Sequence, residues 1–346
     1  YFIKKNSIKI EKLYISNSVN SLEDNIKWLE VSVEDAFALS LKINQLESLN
    51  YDELSPLSFS FLPIAIACQA KCKFCFSHSS ISSEQIKNIS DYDNLINWMN
   101  YSVQKGAKRF VITGGGDPGV WGIDNLINVI KLAKNIFSKK ILFSNGIFLE
   151  KNQTDNQIIN NIHQLKQAGL DTLSLSVHHY ETSKNTFIMG VDTKFNRLIS
   201  IYKTIPKDQK PNIRLICVLQ KNGINNASEI QKFIQFAADN DINEICFKEL
   251  YISSGLESIY STLESNIYSE QNQVSLSVIT DYAKSLNLIA VNKLPWGSPI
   301  FEFNVDNKII KVAAYTEPTL GWEKTNGIAR SWNYLSDKKC YVSLED

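Results

Sequence analysis

The chain has 346 residues, with 36 basic and 36 acidic side chains and no formal net charge. A composition that is 44% hydrophobic and 11% aromatic excludes a disordered chain. The neutral balance lacks the broad positive field that a phosphate backbone favours, so nucleic acid is not an expected partner.

Residues 1–57 read as an accessory segment. Ile8, Ile10, Leu13 and Ile15 predict a short strand or hairpin, and Ser32 caps a predicted helix carrying Phe37, Leu41 and Leu46. From residue 57 strand-like and helix-like runs alternate. The strand runs are 57–67, 109–113, 140–145, 172–177, 213–219 and 244–250. Amphipathic helical patterns lie between them, as in Ile158, Ile159, Ile162 and Leu165. This alternation implies right-handed βαβ units and a parallel sheet. About six units are present, fewer than the eight of a closed barrel. The expected fold is therefore α/β: a partial (β/α)6 TIM-like barrel over 58–287, with an N-terminal accessory segment and a C-terminal extension over 288–346. In that extension 300–315 predicts two strands about a turn at Asp306 and Asn307, and 332–343 another pair about Asp337. It also holds Trp296, Trp322 and Trp332, so it reads as an aromatic-rich β cover.

No apolar run reaches the ~20 residues of a membrane span, and the first residues show no signal-peptide pattern. Six cysteines are too few for a disulfide scaffold and suit a reducing, cytoplasmic compartment. Cys68, Cys72 and Cys75 crowd into one loop after the first strand. Three thiolates so placed can converge on a soft metal centre, either an iron–sulfur cluster or a zinc ion completed by His78. With three cysteines, one iron of a [4Fe–4S] cluster is left open to bind a substrate. The second strand ends in Gly114, Gly115, Gly116, Asp117 and Pro118. That run fits a ligand cradle, a tight βα turn or a phosphate loop.

The spacing Cys-x₃-Cys-x₂-Cys, with Phe74 just before the third cysteine, resembles the signature of the radical S-adenosylmethionine superfamily. The resemblance covers roughly residues 58–250 and is nearest the branch with molybdenum-cofactor enzymes and peptide maturases. It implies a [4Fe–4S] cluster on Cys68, Cys72 and Cys75, and cleavage of S-adenosylmethionine to a 5′-deoxyadenosyl radical that abstracts hydrogen. It implies further that Phe74, Gly114, Gly115, Gly116 and Asp117 help hold S-adenosylmethionine, Asp117 standing where the family has Glu. Ser144 faces the same mouth, and Ser176 matches the family's serine. Lys221 matches a basic residue near the methionine carboxylate, and His178 replaces the family's Asp.

His178 and His179 are candidate acid/base or hydrogen-bonding groups at a strand end. Lys248 and Glu249 end the sixth strand and are substrate candidates, with Glu317, Trp322, Arg330 and Trp332 of the extension. Cys217 and Cys246 read as core. Cys340 is either packed in the extension or a hydrogen-atom donor to a substrate radical. Lys71 and Lys73 would steer an acidic flavodoxin or ferredoxin. No set of spare cysteines can build a second cluster, which favours redox-neutral chemistry on a small polar metabolite such as an amino acid, sugar or nucleoside. A ribosomal peptide is the alternative substrate. A non-catalytic Fe–S or zinc module is the alternative of another class.

Overall fold

The computed structural model describes residues 13–16, 28–31, 53–64, 67–75, 92–252, 264–318 and 320–342. The predicted helix after Ser32 and the residue His78 lie outside them. Strands β1 (Leu13–Ser16) and β2 (Trp28–Val31) form a separate antiparallel pair. The short β3 (Ser55–Pro56) precedes the barrel.

Six parallel strands form the centre: β4 (Ser58–Phe61), β5 (Arg109–Ile112), β6 (Lys139–Ser144), β7 (Thr172–Ser176), β8 (Asn212–Val218) and β9 (Glu244–Lys248). Helices α1 (Asp93–Gln104), α2 (Ile123–Ala133), α3 (Ile147–Glu150), α4 (Asp155–Ala168), α5 (Thr182–Met189), α6 (Phe195–Thr204) and α7 (Ala227–Asp239) run between them. Strand residues alternate between two environments. One face packs on the helices: Phe59, Phe110 and Phe137 stack there, and Phe247 meets Phe233 of α7. Each such ring contributes about 1.5–3 kcal/mol by leaving water. The other face lines the lumen and mixes polar residues with apolar ones such as Val111, Ile141 and Phe143. There Arg214 donates to the Ser174 hydroxyl and lies 4.0 Å from Glu244.

The first strand is shorter than its apolar run. After Phe61, Leu62 donates its N–H to Tyr334, and the chain leaves the ladder to cross the turn after β5.

The C-terminal residues are not a cover laid over the barrel; they extend its sheet. Helices α8 (Glu264–Asn272) and α9 (Ser277–Ser285) lead to β10 (Asn292–Lys293), β11 (Pro299–Val305) and β12 (Lys308–Tyr315). Strands β11 and β12 form the expected hairpin, with Asp306 and Asn307 at positive φ in its turn. Strand β12 then pairs parallel to β9. Helix α10 (Leu320–Asn326) and β13 (Ile328–Ala329) follow, then β14 (Trp332–Tyr334) and β15 (Cys340–Tyr341). Strand β14 pairs parallel to β4. The physical reason is edge satisfaction: a six-strand sheet leaves the N–H and C=O groups of β4 and β9 unpaired, and these strands take them up. The eleven-stranded sheet thus contains eight consecutive parallel strands, β12-β9-β8-β7-β6-β5-β4-β14.

The register shows how far this sheet curls. Paired residues run in one row from Tyr334 through Phe61, Ile112, Leu142 and Leu173 to Ile213. That row lies one step below Arg214, Glu244 and Lys311, so Tyr334 is level with the start of β12. Arg330, which precedes β14, nevertheless meets Tyr315 and Glu317 at the far end of β12. A stagger on the order of eight residues accounts for this, the shear of a closed eight-stranded barrel. The two edges therefore face each other across a seam. Side chains, not ladder bonds, bridge it. No helix among the described residues is long and apolar enough to cross a membrane.

Candidate active site at the rim of the barrel

The cysteine loop is held from two sides. The Ala67 carbonyl accepts the Asp117 N–H at 2.8 Å, and a Cβ on Gly116 would sit 1.9 Å from that carbonyl oxygen. Opposite, Lys71 donates its N–H to Met189 at the end of α5 at 2.8 Å. Gly190, at φ +62°, lets that end approach the Lys71 carbonyl. Within the loop, Cys75 donates its N–H to the Cys72 carbonyl.

The three thiols suit a cluster. Burial pushes the Cys68 thiol up; its sulfur accepts from the Ala70 N–H at 3.3 Å and from Asn145 Nδ2 at 3.5 Å, and these donors oppose that rise. Burial, then the charges of Cys75 and Cys68, push Cys72 up to about 12. Three thiolates so close repel one another, and cationic iron removes that cost. Among the described residues no three His, Cys, Asp or Glu converge tightly enough for a single metal ion. Cys68, Cys72 and Cys75 are the residues that would hold a [4Fe–4S] cluster.

Asp117 is turned to a different use from the one its position in the motif implies. Its carboxylate accepts from the Gly119 N–H at 2.8 Å, the Asn145 N–H at 2.6 Å and the Ser144 hydroxyl at 3.0 Å. It is 4% exposed. Aspartate is one methylene shorter than the family's glutamate, so it folds back onto its own turn. Ser144 is spent likewise, since its oxygen also accepts the Gly146 N–H. The pair ties β5 to β6. What this turn still offers a ligand is the half-buried backbone of Gly114 and Gly116, with Gly115 buried between them.

The end of β7 separates the two histidines, because adjacent strand residues face opposite ways. His178 follows Ser174 and Ser176 on the lumen face and sets its ring edge-on to Phe74, centroids 5.1 Å apart. Its Nδ1 accepts the Val218 N–H at 3.2 Å, and its own N–H donates to Asn185 Oδ1 at 2.8 Å. Burial lowers its pKa to about 4. His179 faces the helices. Its Nδ1 accepts the Glu181 N–H, and its Nε2 lies 3.3 Å from Glu229 at the start of α7. His179 is thus a strut of the outer layer and is not at the mouth.

Other candidates divide similarly. Lys221 is exposed, and its ammonium donates to the Gln271 carbonyl of α8 at 2.7 Å, which ties it to that helix. Glu249 is half-buried and donates its N–H to Tyr315, while Lys248 turns to the lumen. Lys248 meets Glu317 at 3.0 Å, and Glu317 also receives Arg330 and the Tyr315 hydroxyl. Trp296 and Trp322 stand beside this group, edge to face at 6.2 Å. Trp332 does not join them: it is 2% exposed and packs on Trp98 and Tyr101 of α1. Cys340 is on that same outer side, in a cavity of about 220 Å³ with Trp98, Tyr101 and Trp332. A thiol there cannot reach a radical in the lumen. Cys246, expected as core, is buried but shares the lumen face with Glu244 and Lys248.

Asn185 joins the candidate site without having been singled out in the sequence, and Asn145, at the strand end already noted for its small polar residues, makes a contact that was not foreseen. Asn145 reaches the cluster cysteine, and Asn185 pins the backbone of His178. Asn185 carried a readable signal: an amide in mid-helix, fully buried here and bonded to Thr193.

A model of the radical SAM superfamily matches residues 62–236, just over half of the chain. GTP 3',8-cyclase of Helicobacter pylori is 23% identical over 175 residues, covering 51% of this chain and 50% of its own. A probable GTP 3',8-cyclase of Saccharolobus solfataricus is 27% identical over 202 residues, covering 57% and 58%. The chain therefore spans about half the length of the curated relatives it matches. Among solved structures, SuiB of Streptococcus suis aligns over 97% of this chain and 82% of its own, at TM-score 0.52 and 15% identity. The same protein bound to S-adenosylmethionine aligns over 93% and 66%, at TM-score 0.51 and 15% identity. These likenesses show a shared fold. With the three-cysteine loop seated against the glycine turn, the chain belongs to the radical SAM superfamily, whose enzymes use a [4Fe–4S] cluster and S-adenosylmethionine.

Proposed function

We propose that the chain catalyses a radical reaction on a small polar metabolite, without a second cluster. One arrangement carries this reading. The loop of Cys68, Cys72 and Cys75 contacts residues at or just beyond the ends of β5, β6 and β7 through Gly116, Asn145 and His178. Parallel barrels build their sites at those strand ends. When bound, the cluster supplies the one electron that cleaves S-adenosylmethionine and starts hydrogen abstraction. Around it, Asn145 steadies the Cys68 sulfur and Phe74 carries the ring of His178. The remaining cysteines are scattered: Cys217 faces the helices, Cys246 the lumen and Cys340 the outer side of α1. They cannot meet on one cluster, which favours a redox-neutral outcome. Lys71 and Lys73 offer positive charge beside the loop to an acidic flavodoxin or ferredoxin.

Anaerobic reconstitution with iron and sulfide tests the reading. The protein should turn brown and, with dithionite and S-adenosylmethionine, release 5′-deoxyadenosine. A colourless chain that binds stoichiometric zinc instead would overturn it. Metabolite extract, split by size, should stimulate 5′-deoxyadenosine release in its small-molecule fraction. Stimulation by the peptide fraction alone would favour the peptide substrate.

A further inference from the structure

We propose that Lys248 and Arg330 anchor a carboxylate of the substrate, and that Glu317 keeps this place until substrate displaces it. The inference rests on the small-metabolite reading and names the group by which that metabolite is held.

Lys248, Glu317, Arg330 and Tyr315 meet at the seam, beside the C-terminal ends of β9 and β12. The Glu317 carboxylate is fully recognised there. One oxygen takes the Lys248 ammonium at 3.0 Å; the other takes Arg330 and the Tyr315 hydroxyl, the latter at 2.7 Å. Lys248 and Tyr315 belong to paired strands, and Arg330 is fixed by its N–H to Glu323 and by its carbonyl to the Ser58 hydroxyl. Glu317 alone stands in the connection between β12 and α10. So the scaffold holds the donors and a connecting segment holds the acceptor. An acceptor on such a segment can be exchanged without breaking the sheet.

Charge and spare valence agree. Two cations serve one carboxylate; Arg214, lower on the lumen face, is offset by Glu244 at 4.0 Å. Burial, with Arg330 and Arg214 nearby, lowers Lys248 to about 8. Arg330 spends only Nη1 on this group; among the described residues its Nε and Nη2 make no bond. Trp296 and Trp322, both half-buried, give the rest of a ligand an aromatic wall. Three donors on two oxygens match a carboxylate.

Binding of propionate, by calorimetry on the reconstituted protein, tests the assignment. Propionamide and inorganic phosphate are the controls. Glu317→Ala should bind propionate at least tenfold more tightly than the unmodified chain, and adding Lys248→Met should abolish the gain. Propionamide should show no gain. If Glu317→Ala does not fold, Glu317→Gln keeps the shape and should show the same direction of change. Equal propionate affinity in the variant and the unmodified chain would overturn the proposal, as would tighter binding of phosphate than of propionate. The readout needs no turnover. A failed assignment therefore leaves 5′-deoxyadenosine release intact, whereas a failed radical reading shows as no release at all.

Discussion

Burial selects what His178 can do. Its Nδ1 is occupied as an acceptor from Val218, so the proton of the neutral ring sits on Nε2. With its pKa lowered to about 4, the ring stays neutral at physiological pH and carries one N–H donor. The same shift links stability to pH. The folded value lies below the ordinary 6.5, so the fold favours the neutral ring. That contribution is complete above about 6.5 and is lost as pH falls towards 4. Its size is roughly 3 kcal/mol. Denaturant titrations from pH 7 to 4 should therefore show the native chain losing more stability than His178→Asn. Parallel loss in both proteins would mean that His178 is not held neutral by the fold. Its neighbour His179 is a reminder that adjacency in sequence is opposition in a strand: one residue turns to the lumen and the next to Glu229.

At the scale of elements, the site depends on how closely two loops approach. Gly116 is required by contact and not by φ: its hydrogen points at the Ala67 carbonyl, where a methyl group has no room. Gly116→Ala must push the cysteine loop away from β5 and break the Asp117 N–H bond to Ala67. The barrel core, built from Phe59, Phe110 and their neighbours, is untouched by that change. The expected outcome is near-native circular dichroism with iron content reduced severalfold after reconstitution. Full iron loading in Gly116→Ala would show that the loop does not need this seat. The glycine run and the cysteine spacing were both legible as motifs because each residue type carries its own chemistry. Asp117 was legible only as a position in a motif. Its fold-back onto Gly119 and Asn145 depends on side-chain length and on a strand remote in sequence, and no local pattern announces that.

For the molecule as a whole, alternating strands and helices made six barrel strands readable, because each has a run of apolar residues long enough to show a period. The flanking strands β12 and β14 were readable as members of hairpins, but their docking on the barrel edges was not. Strand β14 is three residues long, too short for any period, and its partner β4 lies more than two hundred residues earlier. Only the unpaired edges of the barrel decide where it docks. This predicts that the C-terminal residues belong to the cooperative unit. Removing residues 332–346 would expose the β4 edge and strip Trp332 and Tyr334 from the core, where both are 2% exposed. The two rings alone account for about 1.5–3 kcal/mol each, and the lost ladder adds to that. Most domains have only 5–15 kcal/mol to lose. The truncated chain should therefore lose its single cooperative melt, and hydrogen exchange should be fastest in β4 and α1, the elements that β14 covers. The milder Trp332→Ala should keep the fold but cost about 3–5 kcal/mol, because Trp98 and Tyr101 would then face a cavity. A truncated chain that melts cooperatively at the native temperature, with β4 still protected, would show instead that six strands suffice and that the flanking strand is an attachment.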